Sequence, residues 1–435
     1  MTATAIRHRT SPVGADALRE EFAPLFARIR DGAVEREKRR ELPFLVVQEL
    51  KEAGFTALRV PEEFGGRGVE FEDFTELLID LAAADSNVAH LFRGHIAHVE
   101  NLLLRAPGTY RDAWLRRIAA GALIGNAASE RGELTEIGTR LDGGPGRRTV
   151  TGTKYYTTGS IYADWISLSA VADGVRHNVL VRADHPGVQV VDDWDGFGQQ
   201  LTASGGLTLD AVPVDEEDVT AFDTTNPHVG FGVSVFQTVL LAVAAGIARA
   251  ALEDAVAFVT PRRRTFAHVG ELVPREQHLV QAVVGSVAAK AHSARLVVSG
   301  QAAAIGAYAR AAAGGRRAGT DEEQQRESGR LALDVFKTQQ VVLQLVLDAA
   351  TEVFEVGGAS ATSTTLRLDR HWRNARTVAS HNPVNYRLRS VGEQLLTGRI
   401  QLWGTSLDLA NQTHDPAAPQ TVTGEDSTTT DEGKP

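Results

Sequence analysis

The chain has 435 residues, with 45 Lys and Arg against 55 Asp and Glu, for a net charge of -10. It holds no Cys and one Met, which excludes disulfides, Cys-ligated zinc, thiolate-held iron–sulfur clusters and thiol catalysis. The acidic balance argues against a nucleic-acid partner, and the length suggests two or three packed units. The first residues, MTATAIRHRT, have no apolar run behind them, so no secretory signal is expected and a cytoplasmic protein is the default.

Residues 14–120 read as an N-terminal helical domain. Leu45, Val46 and Leu50 mark one apolar face ended by Gly54, and Pro61 with Gly65-Gly66 marks a turn. A helix over 71–84 follows, then the cap-like Asp85-Ser86-Asn87 and a helix from Val88 to Leu104. From 121 to 222 the texture changes to short β-type runs: 149–151, 165–168, 179–181, 188–191 and 207–209, separated by Gly and Pro. No stretch there is long enough for crossover helices, so a small antiparallel barrel or sandwich is expected and not a parallel nucleotide-binding sheet.

Residues 223–410 return to Ala-rich helices, at 231–260, 274–312, 322–354 and 384–410, as in a four-helix bundle. Phe231 to Ala248 is uncharged, but Ser234, Gln237 and Gly246 interrupt it. It reads as a buried bundle helix, with no membrane span. Residues 411–435 carry five acids and one base and are expected to be a disordered tail. The expected class is mainly α with a central small β domain.

Nucleotide fingerprints, a nucleophile elbow and H-E-x-x-H are all missing. His95 and His98, three apart with Glu100 nearby, could share a helix face, but a catalytic zinc wants a third ligand, so no metal is expected. The densest functional chemistry lies at 369–386, DRHWRNARTVASHNPVNY. Asn382 is a candidate cap and Pro383 a helix start; taken alone, the segment also reads as a basic surface loop. Asn126, Ser129, Thr157 and Thr158 supply mostly neutral hydrogen-bonding groups that suit a planar heterocycle; singly, each also reads as strand pairing or turn capping.

Together these pieces resemble the acyl-CoA dehydrogenase superfamily over roughly residues 15–410. The resemblance rests on Pro61 to Gly66 (PEEFGG), Val150 to Thr157 (VTGTKYYT) and Arg373 to Arg376 (RNAR), and it implies a helical domain, a β-barrel and a four-helix bundle. Two departures matter. His381-Asn382-Pro383 stands where many members have Tyr-Glu-Gly, and an amide cannot serve as the base. Other members carry the Glu on the first bundle helix, yet no acid occurs between Asp223 and Glu253. Both facts speak against α,β-dehydrogenation.

The 370–383 segment and the run 192–205, DDWDGFGQQLTASG, are instead similar to the superfamily's flavin monooxygenase branch, which includes dibenzothiophene and sulfone-related oxygenases and amino-sugar N-oxygenases. That resemblance implies a two-component enzyme in which a separate NAD(P)H:flavin reductase supplies reduced FMN, with O2 as co-substrate and a C4a-hydroperoxyflavin as oxidant. It assigns catalytic roles to His381, His95, Thr158 and Asn126. It assigns flavin contacts to Asn126, Ser129, Thr157, Thr158, Arg264, Arg376 and His381. A second family histidine would fall on Val378. Phe92, His98, Phe236 and Trp403 are candidate substrate contacts, and a homotetramer is implied. FMN is favoured over FAD because Phe266-Ala267 and Gly357 to Ser360 depart from the adenylate-binding pattern. An FAD dehydrogenase, an aromatic C-hydroxylase and a non-catalytic binding protein on the same scaffold stay open.

Overall fold

The computed structural model describes residues 14–131, 137–264, 272–315, 319–382 and 384–402. The tail, Phe266-Ala267, Pro383 and Trp403 lie outside them. The chain begins with α1 (Ala15–Arg39), α2 (Phe44–Glu52) and α3 (Phe71–Ala84). The expected single helix from Val88 to Leu104 is in fact two, α4 (Ser86–Leu91) and α5 (Arg93–Leu104). The Asp85 carboxylate caps α4 by accepting from the Asn87 N–H at 3.0 Å. Phe92 stands at the bend with no exposed surface, its ring 5.2 Å from that of Phe55. Burial of that ring sets where the helix breaks, which periodicity alone does not reveal. Helix α6 (Thr109–Ala119) closes this part.

The β domain holds β1 (Ile124–Ala127), β2 (Arg140–Asp142), β3 (Thr149–Lys154), β4 (Trp165–Ala172), β5 (Val175–Arg182), β6 (Val188–Val191), β7 (Gly206–Pro213) and β8 (Val219–Ala221). The sheet order is β6-β7-β3-β2-β4-β5-β8, with β1 also on β4. The sheet is mixed, a departure from the antiparallel expectation: β1 and β2 both pair with β4 in parallel. The β2–β3 hairpin comes between β1 and β4, so the chain can return in its original direction. Inward-facing residues such as Val150, Ile166, Leu168, Val181 and Leu209 give this unit its own apolar core.

The rest is α7 (Val229–Val259), α8 (His278–Ala312), α9 (Asp321–Glu352), α10 (Asp369–Ser380) and α11 (Val384–Thr397). Thr320 and Glu323 form a capping box at the start of α9. Helix α7 is long and apolar enough to cross a membrane, with a mean hydropathy of 2.0, but 83% of that window is buried. It packs on α3, α8 and α9 and is the bundle's central helix. At Gly246 an added Cβ would stand 2.4 Å from the Ala82 Cβ, so α3 and α7 can approach this closely only over glycine. The RHWRNART segment is the helix α10, not a loop. His371, 4% exposed, anchors it to α7 through a 2.7 Å contact from Nε2 to Asp254, which also pairs with Arg370. Helix α11 ends at Thr397, short of the expected 410, and Gly398 follows with φ 76°.

Candidate active site

The loop between β6 and β7 joins the sheet to the bundle. The Gln199 backbone N–H donates to Asn374 Oδ1 at 2.6 Å, Arg373 donates to the Phe197 carbonyl at 2.9 Å, and the Phe197 and Trp372 rings stack at 5.9 Å. Beneath them Glu37, 5% exposed, pairs with Arg373 and accepts from Asn374. At Gly198 an added Cβ would lie 2.2 Å from the Arg373 carbonyl oxygen, which excludes any other residue. The loop is thus held on both sides, and it carries Gln199, Thr202 and Ser204 inward.

Gln199 is 1% exposed, with φ 51°. Its Nε2 donates to Ser86 Oγ at 3.0 Å, so its Oε1 faces His90 Nδ1, also at 3.0 Å, as an acceptor. His90 therefore carries its proton on Nδ1, and Nε2 presents a lone pair. That Nε2 is buried and has no partner among the described residues. Burial, aided by the charge of Arg93, pushes the His90 imidazole down to about 4, so it is neutral at pH 7. The rings of His90 and His381 are 5.9 Å apart. His381 has exposed surface, yet the surrounding protein, Arg93 and His90 hold its imidazole well below the usual histidine range.

A chain of hydroxyls runs beside them. Thr202 Oγ1 donates to the Gln199 carbonyl at 2.8 Å, and a carbonyl can only accept. Ser204, 2.8 Å from Thr202, must then donate to it, and Thr158, 2.7 Å from Ser204, must donate in turn. Thr158, 4% exposed, is left as an acceptor toward any ligand. Asn126 lines the cavity described below, and its carboxamide makes no hydrogen bond among the described residues. Asn382 Nδ2 donates to Gln237 Oε1 at 2.9 Å. Each of the two segments that could carry a catalytic base thus offers an amide, and the two amides are hydrogen-bonded to each other.

A cavity of about 760 Å³ lies between the sheet and the bundle, lined by Gly94, His98, Asn126, Ser167, Gly232 and Phe236 among others. An added Cβ on Gly94 would come within 2.5 Å of the Asn126 Cβ, so this glycine lets α5 lie against β1 at the cavity wall. The His98 ring meets Trp114 edge-on at 5.6 Å, its Nε2 is buried without a partner, and burial pushes it down to about 3.

Several expected site residues lie elsewhere. His95 is 2% exposed; its Nε2 donates to the Thr56 carbonyl at 2.8 Å and its Nδ1 accepts from the Ile124 N–H at 3.3 Å. Both ring nitrogens are used in joining α5 to its neighbours, and it is His90 that faces His381. The bend at Phe92 decides this, and a continuous helix from Val88 hides it. Phe92 is core, not a cavity wall. Thr157 has no exposed surface and donates to the Gly205 carbonyl at 3.0 Å, so its hydroxyl is taken. Ser129 is exposed. Among the described residues the Arg376 guanidinium bonds Ser380, at 3.2 and 3.1 Å, and meets no carboxylate. Arg264 is exposed at the edge of the described residues. Glu100 is held by Arg59, and among the described residues no three His, Cys, Asp or Glu cluster as metal ligands.

The neutral donors and acceptors around His90, Thr158, Asn126 and His381 fit a planar nitrogen heterocycle, and the unpartnered His90 Nε2 marks where a ligand would complete the set. Two family models match the chain: the acyl-CoA dehydrogenase N-terminal domain over residues 15–122 and the C-terminal domain over residues 238–386. A probable FMNH2-dependent monooxygenase, SfnC of Pseudomonas putida, is 28% identical over 397 residues, covering 90% of this chain and 96% of that one. FMN-bound TdsC from Paenibacillus sp. A11-2, a dibenzothiophene monooxygenase, superposes with a TM-score of 0.79 at 27% identity, over 89% of this chain and 99% of that one. Methanesulfinate monooxygenase MsuC from Pseudomonas fluorescens gives 0.79 at 25% identity, over 89% and 98%.

Proposed function

Because the chain belongs to the acyl-CoA dehydrogenase superfamily, we propose that it is a flavin-dependent monooxygenase that uses reduced FMN and O2 to oxygenate a small organic substrate at sulfur or nitrogen. The observation that carries this reading is the His90–His381 pair beside the Thr158–Ser204–Thr202 hydroxyl chain, with amides on both segments that could carry a base. When bound, reduced FMN supplies the electrons that activate dioxygen. The chain's own residues do the rest. Thr158, turned into an acceptor by its hydroxyl chain, holds a ring N–H of the flavin. Asn126 offers a free carboxamide to the ring edge. His381 would supply a hydrogen-bond donor beside the flavin, and neutral His90 would take a proton through Nε2. Burial of His90 and Thr158 keeps bulk water from their side chains, which strengthens the bonds they make.

Arg376, and Arg264 beside the segment that follows it, are proposed to meet the FMN phosphate, since a guanidinium that meets no carboxylate suits a phosphate group. Phe236 and His98 are proposed substrate contacts, as both line the cavity. A separate NAD(P)H:flavin reductase, a cytoplasmic location and a homotetramer complete the reading. Leu279 and Leu296 on α8 are 81% and 56% exposed, which supports packing of this helix on another copy.

The test is turnover. The purified chain, supplied with enzymatically reduced FMN, O2 and a panel of sulfur- and nitrogen-containing compounds, is expected to add one oxygen atom to at least one of them, read by mass spectrometry with 18O2. Flavin reduction by an acyl-CoA, with no oxygen incorporated anywhere in the panel, would overturn the reading.

A further inference from the structure

Two buried arginines have no counter-ion among the described residues. Arg93, the first residue of α5, is 9% exposed and lies over the Phe236 ring at 4.6 Å, with its Nε donating to the Phe236 carbonyl at 3.2 Å. Arg387, on α11, is 2% exposed and lies over the Phe336 ring at 4.4 Å. Its Nε and Nη1 are buried with no acceptor. No carboxylate pairs with either guanidinium among the described residues. Three half-buried arginines in this fold are paired: Arg59 meets Glu100, Arg36 meets Asp85, and Arg373 meets Glu37. An unpaired buried cation is strongly unfavourable, and two near each other are worse. Burial and the Arg387 charge push Arg93 down to about 9, and burial pushes Arg387 down to about 10.

Position gives the pair a use. Phe236, under Arg93, lines the cavity, and Val233, one turn earlier on α7, both lines it and packs in the Phe336 cluster beneath Arg387. The Arg93 charge also depresses both His90 and His381, so this guanidinium stands beside the paired rings. The ring stacking and the Phe236 carbonyl orient the Arg93 plane and leave its terminal nitrogens free.

We propose that Arg93 and Arg387 form an oxyanion-binding site, so that the compound oxygenated here carries a carboxylate, sulfinate or sulfonate group. This deepens the monooxygenase reading and rests on it for the word substrate, but not for the site. An oxyanion would satisfy the orphaned Arg387 nitrogens and offset both charges. A neutral aromatic such as a thiophene would leave them unpaired.

The test is direct binding to the full-length, flavin-free protein by calorimetry, with methanesulfinate, methanesulfonate and benzoate as anions and dimethyl sulfone as the neutral comparator. The anions are expected to bind at least tenfold tighter than the sulfone. Arg387→Met and Arg93→Met should each weaken anion binding at least tenfold and leave sulfone binding unchanged, and Arg387→Lys, which keeps the charge if the Met variant fails to fold, should retain part of it. Equal affinity for anions and sulfone in the unmodified protein would overturn the proposal. So would loss of anion binding when FMN saturates the protein, because the pair would then serve the flavin. The monooxygenase reading is scored separately, by 18O incorporation from reduced FMN. Anion binding without any turnover would sink that reading and leave the site standing.

Discussion

Gln199 holds His90 in one tautomer: its amide nitrogen donates to Ser86 at 3.0 Å, and its carbonyl oxygen takes the His90 Nδ1 proton at 3.0 Å. The two residues are 109 positions apart, one in the middle of the β6–β7 loop and the other on α4. The consequence is a neutral imidazole with Nε2 free and buried.

If that bond positions a base, changing it should alter the pH profile and not only the rate. Gln199→Glu places a carboxylate beside Nδ1, stabilises the imidazolium and raises the His90 pKa from about 4. The acid limb of the product-formation profile is expected to move to higher pH. Gln199→Leu removes the acceptor and should cost about 10- to 100-fold in rate, as lost positioning partners do elsewhere. An unmoved acid limb in the Glu variant would show that His90 is not the titrating group.

His381 faces His90 across 5.9 Å. His381→Ala should keep the fold and let reduced FMN oxidise, while product falls about 10²- to 10³-fold and hydrogen peroxide rises to match. Peroxide and product, measured together against NADH consumed, check this. Unchanged coupling would remove His381 from the site.

The hydroxyl chain leaves Thr158 only acceptor capacity. Thr158→Val should weaken reduced-FMN binding by about tenfold, the net worth of one hydrogen bond, whereas Thr158→Ser should restore it. Fluorescence titration under anaerobic conditions separates the two variants. Equal affinity in Val and Ser would show that the hydroxyl meets no flavin N–H.

Burial depresses His90 and His95 to about 4 and His98 to about 3, against about 6.5 when unfolded. Between those values the unfolded chain binds more protons, so stability rises with pH. It is full above about 6.5 and is lost as the pH falls from there toward 4, at up to about 1.4 kcal/mol per pH unit for each histidine. Urea unfolding at pH 4.5, 5.5 and 7 should show this slope, and His98→Gln should reduce it by up to about 1.4 kcal/mol per pH unit. A flat profile would contradict the burial argument.

Arg373 joins α10, the β6–β7 loop and α1 through Asp369, Phe197 and the buried Glu37. Arg373→Ala leaves Glu37 buried without its cation and should cost about 3–5 kcal/mol. The double variant with Glu37→Gln should recover part of that loss, because no charge is then left unpaired. Thermal or urea denaturation gives both values. A single variant as stable as the parent would show that the pair contributes nothing net.

Much of the architecture was legible in the chain itself, because it rests on local signals. Apolar spacing marks the helix at 71–84, alternation marks 188–191 as a strand, and Asp85 announces a cap. The uncharged run from Phe231 reads as a core helix because its interruptions are those of a bundle. Motif spacing pointed to the superfamily and to the segments around Asn126, Thr158 and His381. The parallel pairing of β1 with β4 was not legible, since strand direction depends on where the chain returns.

Sequence alone determined the order of helices, sheet and bundle, the missing carboxylate base and the segments from which a site would be built. Tertiary structure alone decided which side chains meet. The break at Phe92, whose ring packs on Phe55, separates His90, which faces His381, from His95, which is a strut. Helix α11 brings Arg387, nearly 300 positions along the chain, into range of the Arg93 charge. Periodicity along a chain reports which face of a helix is apolar. It carries no information on which faces of two distant elements are pressed together, because that is settled by packing the whole core at once.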